Sequence, residues 1–203
     1  GVDRERLFTM DAHRMAMRKS SSDKGTKIDI VSVRRTIRRG HIRNKTLDEF
    51  IVSTRAHQEE LHVARRYSDF HRLYKVLRAQ FPAQEIPELP PKDMAAVEVN
   101  GALQQEDRDG EWVDMTAVTP NALLRERNRL TLRAFLRHIL GIPVLADSEA
   151  FQDFLVHDPT ILTSEDKADA HARRQADAVR ETELKDFADQ MAERARILQS
   201  HLD

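Results

Sequence analysis

The sequence predicts an α+β fold: a three-stranded antiparallel sheet packed on a helical subdomain, with a C-terminal helical extension. Three observations carry this. Three short runs between Lys27 and Ser68 have strand-like composition, the first with alternating apolar residues, and only short connections separate them. The apolar period then changes to that of a helix across "SDFHRLYKVLRAQF", and again across "NALLRERNRLTLRAFLRHILG". Past Pro159 the chain is polar and helical in pattern to its end.

Residues 1–26 read as an N-terminal extension and linker, weakly helical and then flexible through "SSSDKGTK". Residues 27–158 hold the folded domain. "KIDIVSVRRT" is the first strand, with Ile28 and Ile30 apolar and Val31 and Val33 keeping β-character. Gly40 and Asn44 supply a turn, and "TLDEFIVSTRA" and "ELHVARRYS" complete a meander. The first helix puts Phe70, Leu73, Tyr74, Leu77 and Phe81 on one face, with Ser68 as its expected N-cap and Pro82 as its stop. "PELPPK", Pro87 to Lys92, is extended. Residues 93–120 form a connection longer than most in a compact domain, which marks it as functional or disordered.

The second helix turns Leu123, Leu124, Leu132, Phe135, Leu136, Ile139 and Leu140 inward, between an Asn121 cap and a Gly141 stop. "SEAFQDFLV" is a short closing helix capped by Ser148. In the extension, residues 159–203, Leu184, Met191 and Leu198 recur every seven positions, as do Ala188, Ala195 and Leu202. Fewer than three such heptads, rich in alanine, suit a docked or bundled helix better than an autonomous coiled coil.

Composition narrows the function. Charged residues make up 33% of the 203 and aromatics 5%, with a mean hydropathy of −0.61. That describes a soluble protein with a modest core. The absence of cysteine excludes disulfides and thiolate metal sites and fits a cytosolic location. No run approaches the roughly 18 apolar residues of a membrane-spanning helix. The opening Gly1 points to a piece of a longer protein. The net charge of −1 hides an asymmetry: residues 1–45 carry 13 Lys/Arg against 5 Asp/Glu, and residues 159–203 carry 7 against 10.

Several chemistries lack their residues. The nine histidines are scattered, without HExxH or paired carboxylates at helical metal spacing. "EDRDGEWVDM" lacks the ligand spacing and closing glutamate of a calcium loop. There is no nucleophile elbow, phosphate loop or GxGxxG, so neither catalysis nor a cofactor is expected. The basic N-terminal arginines have no interleaved aromatics, which argues against nucleic acid.

What remains is "RRYSDF", Arg65 to Phe70, at the junction of the third strand and first helix. The series of meander, "RRYSDF", "FP…LPPK", an "L…FL..IL" helix and a short closing helix resembles the phox-homology (PX) domain, a phosphoinositide-binding module, over residues 27–158. With its helical extension the chain looks most like fungal PX proteins carrying a large helical PX-associated region.

The resemblance implies recognition of phosphatidylinositol 3-phosphate, with a phosphatidylinositol 4-phosphate site or a degenerate pocket as the alternative. It assigns Arg66 to the 3-phosphate, which a planar guanidinium meets with two parallel donors. Tyr67 becomes the platform under the inositol ring, and Lys92 the contact to the 1-phosphate. Ser68 brings the positive end of the helix to the site. The family's arginine clamp on the 4- and 5-hydroxyls falls on Asn128 here, with Arg127 and Arg129 flanking it as candidate substitutes.

The loop after Lys92 matches the family's membrane-dipping loop, with Met94, Val97, Val99 and Leu103 as its insertion candidates; Trp112 is a second anchor or a docked side chain. The basic tip "RRTIRRGHIR" is the better candidate for nonspecific attraction to an anionic surface. The expected partners are therefore a phosphoinositide headgroup, the membrane surface and a protein held by the C-terminal helix. The expected place of work is the cytosolic face of endosomal or vacuolar membranes.

Overall fold

The computed structural model describes residues 25–39, 45–56, 58–92 and 120–201. Strands β1 (Lys27–Arg38), β2 (Lys45–Ala56) and β3 (Glu59–Arg65) form one antiparallel sheet in the order β1-β2-β3, with a register shift between Ile30 and Ser32. Helices α1 (Tyr67–Gln80), α2 (Pro120–Leu140), α3 (Pro143–Ala146) and α4 (Glu149–Val156) follow, and α5 (Ser164–Ser200) ends the chain. The α+β class with a helical extension is thus as the sequence predicts; the four-residue α3, opened by Pro143, is an addition to it.

One core joins sheet and helices. Ile28, Ile30, Phe50, Val52 and Val63 meet Phe70, Leu73 and Leu77 of α1, Leu132, Phe135, Leu136 and Ile139 of α2, and Phe151, Phe154 and Leu155 of α4. Phe70 is its aromatic centre, edge-on to Phe50 at 6.1 Å and to Phe154 at 4.9 Å. Gly141 follows α2 directly and bonds back to Arg137 and His138, and the Ser148 hydroxyl caps α4 by accepting from Phe151 N. Two expectations are corrected. Asn121 lies inside α2, which begins at Pro120, and Leu123 is exposed because the first turns of α2 extend past the core.

Each sheet edge is covered over part of its length, where unpaired strand groups would otherwise be open. Along β3, Thr160 N donates to His62 O, and Pro159 bridges Val63. Along β1 the covering is a ladder of arginines one helical turn apart on α2. Arg129 Nη1 donates to Ile30 O at 2.8 Å, Arg133 pairs with Asp29 at 3.2 Å, and Arg137 Nε donates to Ile28 O at 2.8 Å. Arg129 is fully buried, its charge met by Glu126 one turn earlier.

By chain contacts the described residues divide between Leu162 and Thr163 into two units. The second is α5, opened by a reciprocal capping box between Thr163 and Asp166. Ion pairs such as Arg173–Asp169 and Arg196–Glu193 run along it. The heptad positions Leu184, Met191 and Leu198 are exposed, together with Phe187. Leu202 lies outside the described residues.

Removing the buried arginine strands both partners at once, the Ile30 carbonyl and the Glu126 carboxylate. Arg129→Ala is expected to lower the unfolding free energy by about 3 kcal/mol in urea denaturation. Arg127→Ala, at an exposed position of the same helix, should change it by less than about 0.5 kcal/mol.

Candidate functional site

At the junction of β3 and α1 the chain turns from strand to helix within one residue. Arg66 is extended (φ −88°, ψ 162°) and is itself the residue preceding the helix. Its amide donates to the Asp69 carboxylate at 2.8 Å, so Asp69 reaches back to the helix start. The expectation of Ser68 as N-cap is corrected: Ser68 is the second helical residue. It lies in the first turn, where amide donors have no carbonyl one turn earlier to bond.

This turn forms one side of a cavity of about 530 Å³ lined by Leu47, Asp48, Phe50, Arg66, Tyr67, Ser68, His71, Lys92 and Asn128. That size falls within the roughly 300–1,000 Å³ usual for small-ligand sites. Four residues named from the sequence, Arg66, Tyr67, Ser68 and Lys92, are thus brought together from two segments, with Asn128 of α2 among them. The proline segment is tied in by the Tyr67 hydroxyl, which donates to Pro90 O at 2.7 Å, while Leu89 packs on the core.

Arg66 is held from outside the cavity lining. Its Nε and Nη2 donate to Glu49 Oε1 at 3.3 and 3.2 Å. This contact follows from register: Phe50 pairs with Arg65, so Glu49 stands opposite the next residue. It occupies one edge of the guanidinium and leaves the Nη1–Nη2 end as the second fork. Arg65, by contrast, serves the fold. It donates to Phe154 O at 2.9 Å and to His157 O, and lies over the Phe154 ring.

The flanking arginines do not enter the site. Successive residues on a helix are about 100° apart. Asn128 shares a face with Leu132 and Phe135, so Arg127 and Arg129 diverge to either side. Arg127 is exposed and is not among the cavity residues, and Arg129 is spent on β1 and Glu126. Both are corrected as substitutes for the clamp. The insertion candidates Met94, Val97, Val99 and Leu103, and Trp112, lie outside the described residues, as does the turn at 40–44.

The sequence model of the PX domain family matches residues 53–158, just over half of the chain. The chain belongs to the PX domain family. PX domains are typically non-enzymatic lipid-binding modules, in general phosphoinositide-binding ones that serve membrane trafficking. Similar curated proteins include a PX domain-containing protein of Schizosaccharomyces pombe, 26% identical over 179 residues, and the sorting nexin MVP1 of Candida albicans, 31% identical over 102. The first alignment covers 86% of this chain and the second 50%, and the chain spans only 22% and 11% of those proteins. Among solved structures, a designed CISK-PX domain is 26% identical with a TM-score of 0.45, over 64% of this chain and 97% of that one. The mouse SNX19 PX domain with bound sulphate is 17% identical with a TM-score of 0.41, over 65% and 96%.

Within this PX domain, sequence reasoning missed the acidic and imidazole members of the site. Asp48 and Glu49 come from β2, and His71 stands one turn beyond Tyr67 and Ser68 on the same helical face. The 3.6 spacing of Tyr67 and His71 was the available signal.

Burial pushes the Tyr67 phenol above its ordinary value of 10.0, while the Lys92 backbone beside it acts the other way. The folded chain therefore keeps a proton that the unfolded chain releases first, and this part of the stability is lost as pH rises past 10. Tyr67→Phe should cost about 1 kcal/mol at neutral pH through the lost bond to Pro90, and should flatten the alkaline limb in chemical denaturation followed from pH 8 to 11.

Proposed function

We propose that this chain is a membrane-targeting module that binds phosphatidylinositol 3-phosphate and brings a larger peripheral protein to endosomal or vacuolar membranes, without catalysing a reaction. The observation that carries this reading is the convergence of Arg66, Tyr67, Ser68 and Lys92 on one cavity. The open end of the Arg66 guanidinium takes two phosphate oxygens, Tyr67 lies under the ring, and Lys92 holds the phosphodiester where the headgroup joins the membrane. In this reading the segment after Lys92 faces the bilayer, and each methylene it buries adds about 0.8 kcal/mol.

A second reading keeps the fold and changes the ligand. Asn128 stands where the family's clamp would be, and α5 exposes Leu184, Phe187, Met191 and Leu198. In that reading α5 binds a protein partner and the cavity is degenerate, or takes a differently placed phosphate such as that of phosphatidylinositol 4-phosphate.

Liposome co-sedimentation separates the two. Arg66→Ala should weaken binding to phosphatidylinositol 3-phosphate vesicles about a hundredfold, the worth of a bidentate charge-assisted contact near 3 kcal/mol. Arg66→Lys should recover only part of it. Equal binding by wild type and Arg66→Ala, or equal binding to plain phosphatidylcholine, would sink the first reading. Loss of a captured protein partner on removal of residues 163–203, but not in Arg66→Ala, would favour the second.

A further inference from the structure

We propose that the Tyr67 hydroxyl is a positioning group for Lys92: it fixes the proline segment against α1, so that the lysine meets the ligand phosphate from a preset backbone. This rests on the lipid-binding reading above. The role is separate from that of the Tyr67 ring, because a phenylalanine at 67 would keep the platform under the inositol and lose the latch. Arg66 and Tyr67 stand at the start of α1, whereas Lys92 reaches the same cavity on a separate stretch of chain.

Few atoms hold that stretch. Pro87 is buried and Leu89 packs on the core, which anchors the segment at its start, while Pro91 and Lys92 are exposed. The prolines at 90 and 91 have no N–H, so neither can donate a backbone hydrogen bond. The Pro90 carbonyl can accept one, and the Tyr67 hydroxyl donates to it at 2.7 Å. The Lys92 amide lies close to the same phenol oxygen. One side chain thereby addresses the peptide units on both sides of Pro91. Among the described residues no other side chain hydrogen-bonds to Pro90–Lys92.

The stiffness of the segment makes this latch effective. Each proline ring locks its own φ, and a residue before proline is held to extended backbone. With both peptide planes set at the phenol, few backbone rotations remain between Tyr67 and the Cα of Lys92. What is left to order on binding is the flexible lysine stem. A cation that binding must first immobilise loses part of its worth to that ordering, and pre-organisation removes the loss. Without the hydroxyl, the exposed end of the segment is ordered only by the ligand, and the Lys92 contact weakens. The Arg66 contact does not, because Glu49 and Asp69 set it independently.

The test titrates soluble inositol 1,3-bisphosphate into the full chain by calorimetry, at a temperature where every variant is folded. Tyr67→Phe should weaken binding about fivefold and Lys92→Ala about tenfold, and the double variant should match Lys92→Ala within about twofold. Tyr67→Phe combined with Arg66→Lys should instead show the product of the two single effects. In the ligand-free chain, Tyr67→Phe should move the Lys92 backbone amide resonance toward its random-coil position and leave that of Asn128 in place. Wild-type affinity in Tyr67→Phe, a double variant weaker than Lys92→Ala by the full Tyr67→Phe factor, coupling to Arg66→Lys as large as that to Lys92→Ala, or an unmoved Lys92 amide overturns the latch and leaves the lipid reading intact. Wild-type affinity in Lys92→Ala removes the contact that the latch serves and overturns it too, with Arg66 left to carry the lipid reading. Failure of the wild type to bind inositol 1,3-bisphosphate overturns both.

Discussion

Everything at the site depends on how β3 becomes α1. Arg65 ends the strand with its guanidinium turned into the fold, donating to the carbonyls of Phe154 and His157 and covering the Phe154 ring. Burial lowers its pKa, and the Asp69 and Asp158 carboxylates oppose that shift. One residue later, Arg66 is extended, and its amide is fastened by Asp69. These two anchors leave the Arg66 side chain little choice of direction. The Arg66 guanidinium faces Glu49 because the strand register puts Glu49 opposite it. Two identical side chains, adjacent in sequence, thus have different tasks: one joins strand to closing helix, the other borders the cavity.

Cations in this molecule are numerous, and those described near the sheet are allocated to separate tasks. Two arginines of α2, Arg129 and Arg137, take the Ile30 and Ile28 carbonyls at the start of β1, and Arg133 pairs with the Asp29 carboxylate between them. That use withdraws Arg129 from the cavity and leaves Asn128 facing it. Among the described residues the cavity lining carries Arg66, His71 and Lys92 together with Asp48 and Asn128.

How far this was legible in the sequence depends on range. Local signals carried well. The period change after Arg66 located α1, Ser148 capped α4 as its side chain implied, and Gly141 followed the last residue of α2. Cap choice at α1 failed because the helix starts at Tyr67, one residue before Ser68, and the extended Arg66 brought the Asp69 carboxylate within reach of its amide. The fate of Arg127 and Arg129 was not legible because the rotational phase of α2 is set by Leu132, Phe135, Leu136 and Ile139 packing on distant elements. A one-residue uncertainty there is about 100° of rotation. Asp48 and Glu49 were invisible for the same reason: only strand pairing places β2 next to residues seventeen or more positions away. The seam of α5 was visible as a pattern, but a heptad does not say what covers it.

The most direct test is nuclear magnetic resonance of the chain titrated with soluble inositol 1,3-bisphosphate, the headgroup of phosphatidylinositol 3-phosphate. Saturable shifts should centre on the backbone amides of Arg66, Tyr67, Ser68 and His71, with smaller changes at Lys92 and Asn128. Shifts confined to α5 or to the basic strand at Arg34–Arg38, with the β3–α1 junction silent, would contradict the account.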